Sequence, residues 1–274
     1  MLAYHCPMDW SLLGTLAKFI AVLAIGVPLA VYLMQDKLIF LTRPLSEGEH
    51  RAIAARHRDV ADVFLQAADG TRVHAWHVKA ADKSPLVLYF GGNAEEVSWL
   101  LDELPRRKLD AAWLLIDYRG YGASAGAPSQ RALNADALLW YDYGTKVSAQ
   151  LFAFGRSLGS GVAVQLAAER ALAGLVLVAA FDSLVAVARH HYPYLPVKLL
   201  LKHRFDSAVL APRISAPLLC IVATSDQVIP SVHAKRLYDA WGGAKRWLAL
   251  PGGHNETDDQ ADYWPAVQAF LAAR

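Results

Sequence analysis

The chain has 274 residues, 55% of them hydrophobic and 19% charged, with a formal charge of +2. That length suits one large core, or at most two small domains, and one domain is the simpler expectation. A near-neutral charge without Lys/Arg clusters among aromatics excludes a nucleic-acid groove, and two cysteines, Cys6 and Cys220, in unrelated contexts give no disulfide or metal framework.

In chain order, a short tail (1–11) precedes residues 12–34, where Lys18 is the only charge. As a helix this stretch would extend about 34 Å, enough for a bilayer core, so a single-pass transmembrane anchor is expected. A cleaved signal peptide fits less well, because the apolar stretch is long and no small-x-small site precedes Gln35. A helix buried in the globule is the third reading. Lys37, Arg43, Arg51, Arg56 and Arg58 follow Met34 and favour a cytoplasmic C-terminal domain, whereas Lys18 and the N-terminal amine pull the other way. The membrane side stays open.

A charged junction (35–58) leads into the main domain (59–274). There Val60–Leu65 and Thr71–Val78 flank Asp69-Gly70, a hairpin signal. Pro85–Phe90 is a continuous apolar run ending in Gly91-Gly92-Asn93-Ala94, followed by a helical stretch from Glu95 to Arg107. The pattern of buried strand, loop and helix recurs at 111–116, 150–154, 174–180, 217–223 and 246–250, with helices near 131–143 and 232–241 and from Tyr263. Strands without polar alternation, separated by helices, predict an α/β fold whose mostly parallel sheet carries helices on both faces. Between 182 and 212 the alternation breaks around Tyr192-Pro193-Tyr194-Leu195-Pro196, which predicts a small cap inserted in the domain.

The chemistry centres on Gly155-Arg156-Ser157-Leu158-Gly159, a G-x-S-x-G turn between a strand and a helix. A serine at such a turn needs neighbours without Cβ two positions to either side, because strand end and first helical turn nearly touch there. In a parallel sheet functional groups gather beyond the carboxyl ends of the strands. Asp226 follows the strand 217–223 and His254 follows 246–250, giving the order serine, acid, histidine. A serine hydroxyl is a poor nucleophile until a neutral imidazole takes its proton, and a carboxylate must hold that imidazole in one tautomer. Ser157 is therefore the expected nucleophile, His254 the base and Asp226 its orienter, with Asp182 as reserve acid. The oxyanion donors expected are the amides of Leu158 and Asn93.

No cofactor is expected, and no metal: His74 and His77 lie three apart on a predicted strand, so their side chains point to opposite faces. Asp117 and Arg119 are expected to shape a loop, and Arg156 to face the pocket or pair with a carboxylate.

From about Asp59 to the C-terminus these motifs resemble the α/β-hydrolase superfamily of serine hydrolases. Tyr89-Phe90-Gly91-Gly92-Asn93-Ala94, Asp117-Tyr118-Arg119-Gly120-Tyr121-Gly122-Ala123-Ser124 and Arg204-Phe205-Asp206-Ser207 are similar to its membrane-anchored α/β-hydrolase-domain subgroup. Gly91 stands where the subgroup has a histidine that braces the oxyanion loop. The resemblance implies a membrane-anchored hydrolase acting on a small-molecule acyl ester or thioester, lipid-like if the apolar cap contacts substrate. A peptidase on the same fold and a non-catalytic binding protein are the rival readings.

Overall fold

The structure, a computed structural model, describes residues 10–81 and 83–273. Most of the expected tail, with Cys6, lies outside them. Eight strands form one sheet: β1 (Ala61–Gln66), β2 (Arg72–Val78), β3 (Leu86–Phe90), β4 (Ala112–Asp117), β5 (Leu151–Arg156), β6 (Gly174–Val178), β7 (Leu218–Ala223) and β8 (Lys245–Leu250). Their order is β1-β2-β4-β3-β5-β6-β7-β8. β2 pairs antiparallel with both β1 and β4, and every other pairing is parallel.

The central strands are buried, except for Arg156 at the end of β5, because both faces are covered. Along β3, Leu86, Leu88 and Phe90 enter one core cluster while Val87 and Tyr89 enter the other, as a strand's alternation requires. The first cluster takes side chains from α5 (Gln130–Val147), α6 (Leu158–Glu169) and α10 (Ser231–Ala240). The second takes them from α4 (Leu100–Arg107) and α11 (Tyr263–Ala272). The stretch expected as helix from Glu95 begins later, with a 3₁₀ turn at Val97–Trp99: Glu95 accepts from the Gly92 amide of the preceding loop, and Glu96 caps the turn by accepting from the Ser98 amide.

Residues 182–212 hold three short helices, α7 (Leu184–His191), α8 (Val197–Leu200) and α9 (Ser207–Leu210), over the carboxyl end of the sheet. Ser183 caps α7 by accepting from the Ala186 amide.

The N-terminal segment departs from expectation. No helix among the described residues is long and apolar enough to cross a membrane. The stretch expected as a transmembrane anchor over 12–34 is divided into α1 (Trp10–Ala21), a π-helical turn at Val22–Gly26, and α2 (Val27–Ile39). Pro28 at the start of α2 removes a backbone donor, and a widened turn just before it accommodates the loss. α2 then runs past Met34 through Gln35, Asp36 and Lys37 into contact with the cap. Gln35 donates to the Leu200 carbonyl (3.0 Å) and accepts from the Lys202 amide (2.7 Å), and Asp36 meets His203 at 2.7 Å. Several of the segment's apolar side chains remain outside: Phe19, Val22, Ile25 and Leu33 are exposed. A third helix, α3 (Glu47–Arg56), starts with a capping box between Ser46 and Glu49 and fully buries no residue, with Ile53 and Ala54 partly buried against the core.

Candidate active site

The elbow between β5 and α6 is built by its two glycines. A Cβ on Gly159 would stand 2.0 Å from the Phe90 carbonyl oxygen, and one on Gly155 would stand 2.6 Å from the Gly159 carbonyl oxygen. With both absent, the turn closes tightly and forces Ser157 to φ +51°, ψ −116°. That conformation is strained for a residue with a Cβ, and the Ser157 amide's bond to the Val178 carbonyl (2.9 Å) helps to hold it.

The structure brings the three expected residues into one hydrogen-bonded line. His254 Nε2 lies 3.0 Å from Ser157 Oγ, and its Nδ1 lies 2.7 Å from Asp226 Oδ2. The other Asp226 oxygen accepts from the Val228 and Ile229 amides at 2.8 and 2.7 Å, so the carboxylate cannot rotate away. The reserve acid Asp182 is engaged elsewhere, with His233 at 2.8 Å and Arg236 at 3.2 Å.

Asn93 and Leu158, the expected oxyanion donors, line the same cavity as Ser157. Neither amide has a protein acceptor among the described residues. The Asn93 side chain has a task the sequence did not reveal: its Oδ1 accepts from the Leu41 amide, the Tyr121 hydroxyl and the Ala94 amide at 2.8, 2.8 and 3.1 Å. It thereby ties the loop after β3 to the chain that leaves α2.

Glu95 braces the loop after β3. Its carboxylate accepts from the Gly92 amide (2.5 Å), the Tyr89 hydroxyl (2.7 Å) and the Trp99 indole (3.1 Å), while Tyr118 donates to the Gly91 carbonyl (3.0 Å). Arg156 takes the second of its two expected roles, with Glu95 at 3.5 Å, and also donates to Asn255 at 3.1 Å. It links the elbow to the loop after β3 and to the residue after His254. Burial works against its charge, yet the Glu95 carboxylate beside it holds the guanidinium above its ordinary value. Burial, reinforced by the Glu95 charge, pushes the Tyr89 hydroxyl well up. Asp117 and Arg119 shape the loop after β4: Asp117 accepts from the Ala123 amide, and Arg119 makes a bidentate bond to Asp136.

A cavity of about 690 Å³ opens at Ser157. Its floor holds Ser157, Leu158 and Asn93, and the cap contributes Leu184, Val187, Leu195 and Leu201. The opposite wall is α2, through Val31, Gln35, Leu38 and Ile39. Sequence periodicity alone could not place α2 there, because its apolar residues match those of a lipid-facing helix.

Comparison with known proteins fits this geometry. No family model matches the chain. An uncharacterised protein of Mycobacterium tuberculosis is 34% identical over 92% of this chain and 92% of its own length. The α/β-hydrolase domain-containing protein WAV2 of Arabidopsis thaliana is 29% identical with the same coverage. The chain belongs to the α/β-hydrolase superfamily of hydrolases. A lysophosphatidylserine lipase, ABHD12 of Danio rerio, is 29% identical over 75% of this chain and 66% of its own. Among solved structures, an esterase of Pyrococcus furiosus superposes with a TM-score of 0.60 at 17% identity, covering 80% of this chain and 94% of that one.

Proposed function

We propose that this hydrolase cleaves carboxylic esters or thioesters of apolar acyl groups through an acyl-enzyme. Ser157 Oγ attacks the acyl carbonyl as His254 Nε2 takes its proton. The developing oxyanion accepts from the Leu158 and Asn93 amides, and His254 then returns the proton to the leaving oxygen or sulfur. Water repeats the sequence against the acyl-serine. Asp226, fixed by two amides, holds the Nδ1–H tautomer and stabilises the imidazolium as it forms. The observation that carries this reading is His254 bridging Ser157 Oγ and Asp226 Oδ2 at a serine held with positive φ.

The cavity supports the substrate class. Its volume falls within the range of small-molecule sites, and its described lining is mainly aliphatic and aromatic with no carboxylate. A peptidase needs a group to hold a peptide amine or its like, so this lining favours an ester over a peptide. The lipid substrate of the zebrafish relative points the same way. The exposed Phe19, Val22, Ile25 and Leu33 support association of the N-terminal segment with a lipid surface, which would deliver such an ester beside the α2 wall. Hydrolysis of a graded series of p-nitrophenyl esters tests the proposal. Turnover should rise with acyl length up to the capacity of the cavity and vanish in Ser157→Ala. Equal turnover in Ser157→Ala, or no turnover of any ester or thioester by folded wild type, would refute it.

A further inference from the structure

Away from the elbow, at the β1 edge of the sheet, lies a second cluster of chemistry-bearing side chains that the mechanism does not use. The pairing of β1 with β2 sets Phe64 opposite His74 and Asp62 opposite Trp76, so Asp62 and His74 share one face of the sheet. α3 crosses that face and brings His50 down beside Trp76, with ring centroids 5.1 Å apart. Asp62 Oδ1 lies 2.9 Å from His74 Nε2 and 3.2 Å from His50 Nε2. One ligand atom from each of the three residues falls within 4.8 Å of the others.

The inner histidine is oriented as a metal ligand would be. His74 is wholly buried, and its Nδ1 lies 2.7 Å from Asp117 Oδ2, which also accepts from the Ala123 amide at 2.9 Å. A carboxylate that accepts the Nδ1–H hydrogen bond leaves a neutral imidazole with its Nε2 lone pair aimed outward, the usual second-shell arrangement around zinc. That lone pair faces a carboxylate oxygen at hydrogen-bond distance. Two acceptors so close need a proton or a cation between them. Asp117 adds to the demand: it is 2% exposed, and its Oδ1 has no hydrogen-bond partner. Asp62 and Asp117 together offer the two negative charges that balance a divalent ion. The outer ligands remain open to solvent, His50 at 17% and Asp62 at 33% side-chain exposure, so an ion has a path in.

We propose that His50, Asp62 and His74 bind one divalent cation of the zinc class, with water as fourth ligand, and that the ion clamps α3 to the sheet. The ligand set of two imidazoles and one carboxylate suits zinc in both softness and number. The clamp has mechanical sense, because α3 fully buries no residue and only Ile53 and Ala54 pack, partly buried, against the core. Spacing along β2 correctly separates His74 from His77, but the partners of His74 come from α3 and β1, which that spacing does not reveal.

The test is titration of tag-free, chelator-stripped full-length protein with Zn²⁺, followed by calorimetry, melting temperature and hydrogen exchange over residues 47–56. The expected result is one Zn²⁺ per chain, a raised melting temperature and slower exchange in α3. His50→Ala and Asp62→Asn, both at the surface, should weaken binding by about 100-fold or more, and Asp117→Asn by roughly 10- to 100-fold. Co²⁺ at the same site should give the visible absorption of a four-coordinate ion, lost in His50→Ala. Ser157→Ala should bind Zn²⁺ as wild type does, which keeps this result separate from the esterase reading. Absence of Zn²⁺ binding by folded wild type, or equal binding by wild type and His50→Ala, would overturn the proposal.

Discussion

The elbow half of the molecule and the N-terminal half are held by different forces. Around Ser157, strands buried on both faces meet a turn in which backbone touches backbone, and each group in line with the serine is fixed by a second bond behind it. α2 meets the cap instead through a few polar contacts made by Gln35, Asp36 and Lys202, and much of the N-terminal apolar surface remains outside. Each large exposed side chain forgoes about 1.5–3 kcal/mol of burial. Chemistry needs the rigid region, and substrate entry needs a wall that can give. The two meet at Asn93, whose side chain accepts from the Leu41 amide while the residue lines the cavity beside Ser157.

Four changes would break or sharpen this contrast. The largest effect is expected in the line behind the serine: Asp226→Asn should lower kcat by about 10⁴, the size seen when a protease triad acid is so changed. Asp182→Asn, tied to His233 and Arg236, should leave kcat within roughly threefold. A harmless Asp226→Asn with a damaging Asp182→Asn would reverse the acid assignment.

Next comes Gly159→Ala, whose Cβ would meet the Phe90 and Gly91 carbonyl oxygens at 2.0 and 2.6 Å. Backbone atoms cannot swing aside as a side chain can, so urea denaturation should register a loss on the order of 3 kcal/mol. A loss under about 0.5 kcal/mol would mean that the elbow is looser than the rigid half requires.

Gln35→Ala probes the softer side. It strands the Leu200 carbonyl and the Lys202 amide, at a cost of about 1–2 kcal/mol in the docking of α2. kcat/KM for long-chain esters should fall about tenfold while short-chain esters change little, because a short acyl group does not reach α2. Equal losses for both would assign α2 to the fold rather than to substrate.

A further expected effect is alkaline. Burial pushes the Cys220 thiol up to about 12 from an ordinary 9.0, and burial likewise pushes Tyr121 up to about 12 from 10.0. In the unfolded chain these groups release protons first, so the contribution of each to stability is complete below its unfolded value and is lost as pH rises toward 12. The slope is about 1.4 kcal/mol per pH unit for each group so shifted. Denaturation midpoints between pH 8 and 11 should therefore fall from about pH 9 upward, and Cys220 should resist alkylation until the chain unfolds. A flat profile would place both groups in contact with water.

The sheet was legible because its strands announce themselves as unbroken apolar runs, and the boundaries expected for 111–116 and 217–223 differ by one residue from the observed β4 and β7. Ser157, Asp226 and His254 were legible because each follows such a run. Three features were not. Glu95 bonds through a loop conformation that has no sequence signature. α2 reads as a lipid-facing helix until its cap contacts are known, since periodicity measures apolarity and not the identity of the neighbour. The His50, Asp62 and His74 cluster comes from one helix and two strands, a juxtaposition that only tertiary structure creates.

The central claim is that Ser157 is an activated nucleophile, and reaction of wild type and Ser157→Ala with a fluorophosphonate probe tests it most directly. The account predicts one equivalent of label on wild type, located at Ser157, and none on the alanine variant with its fold unchanged. Label on both proteins, or none on folded wild type, would contradict it.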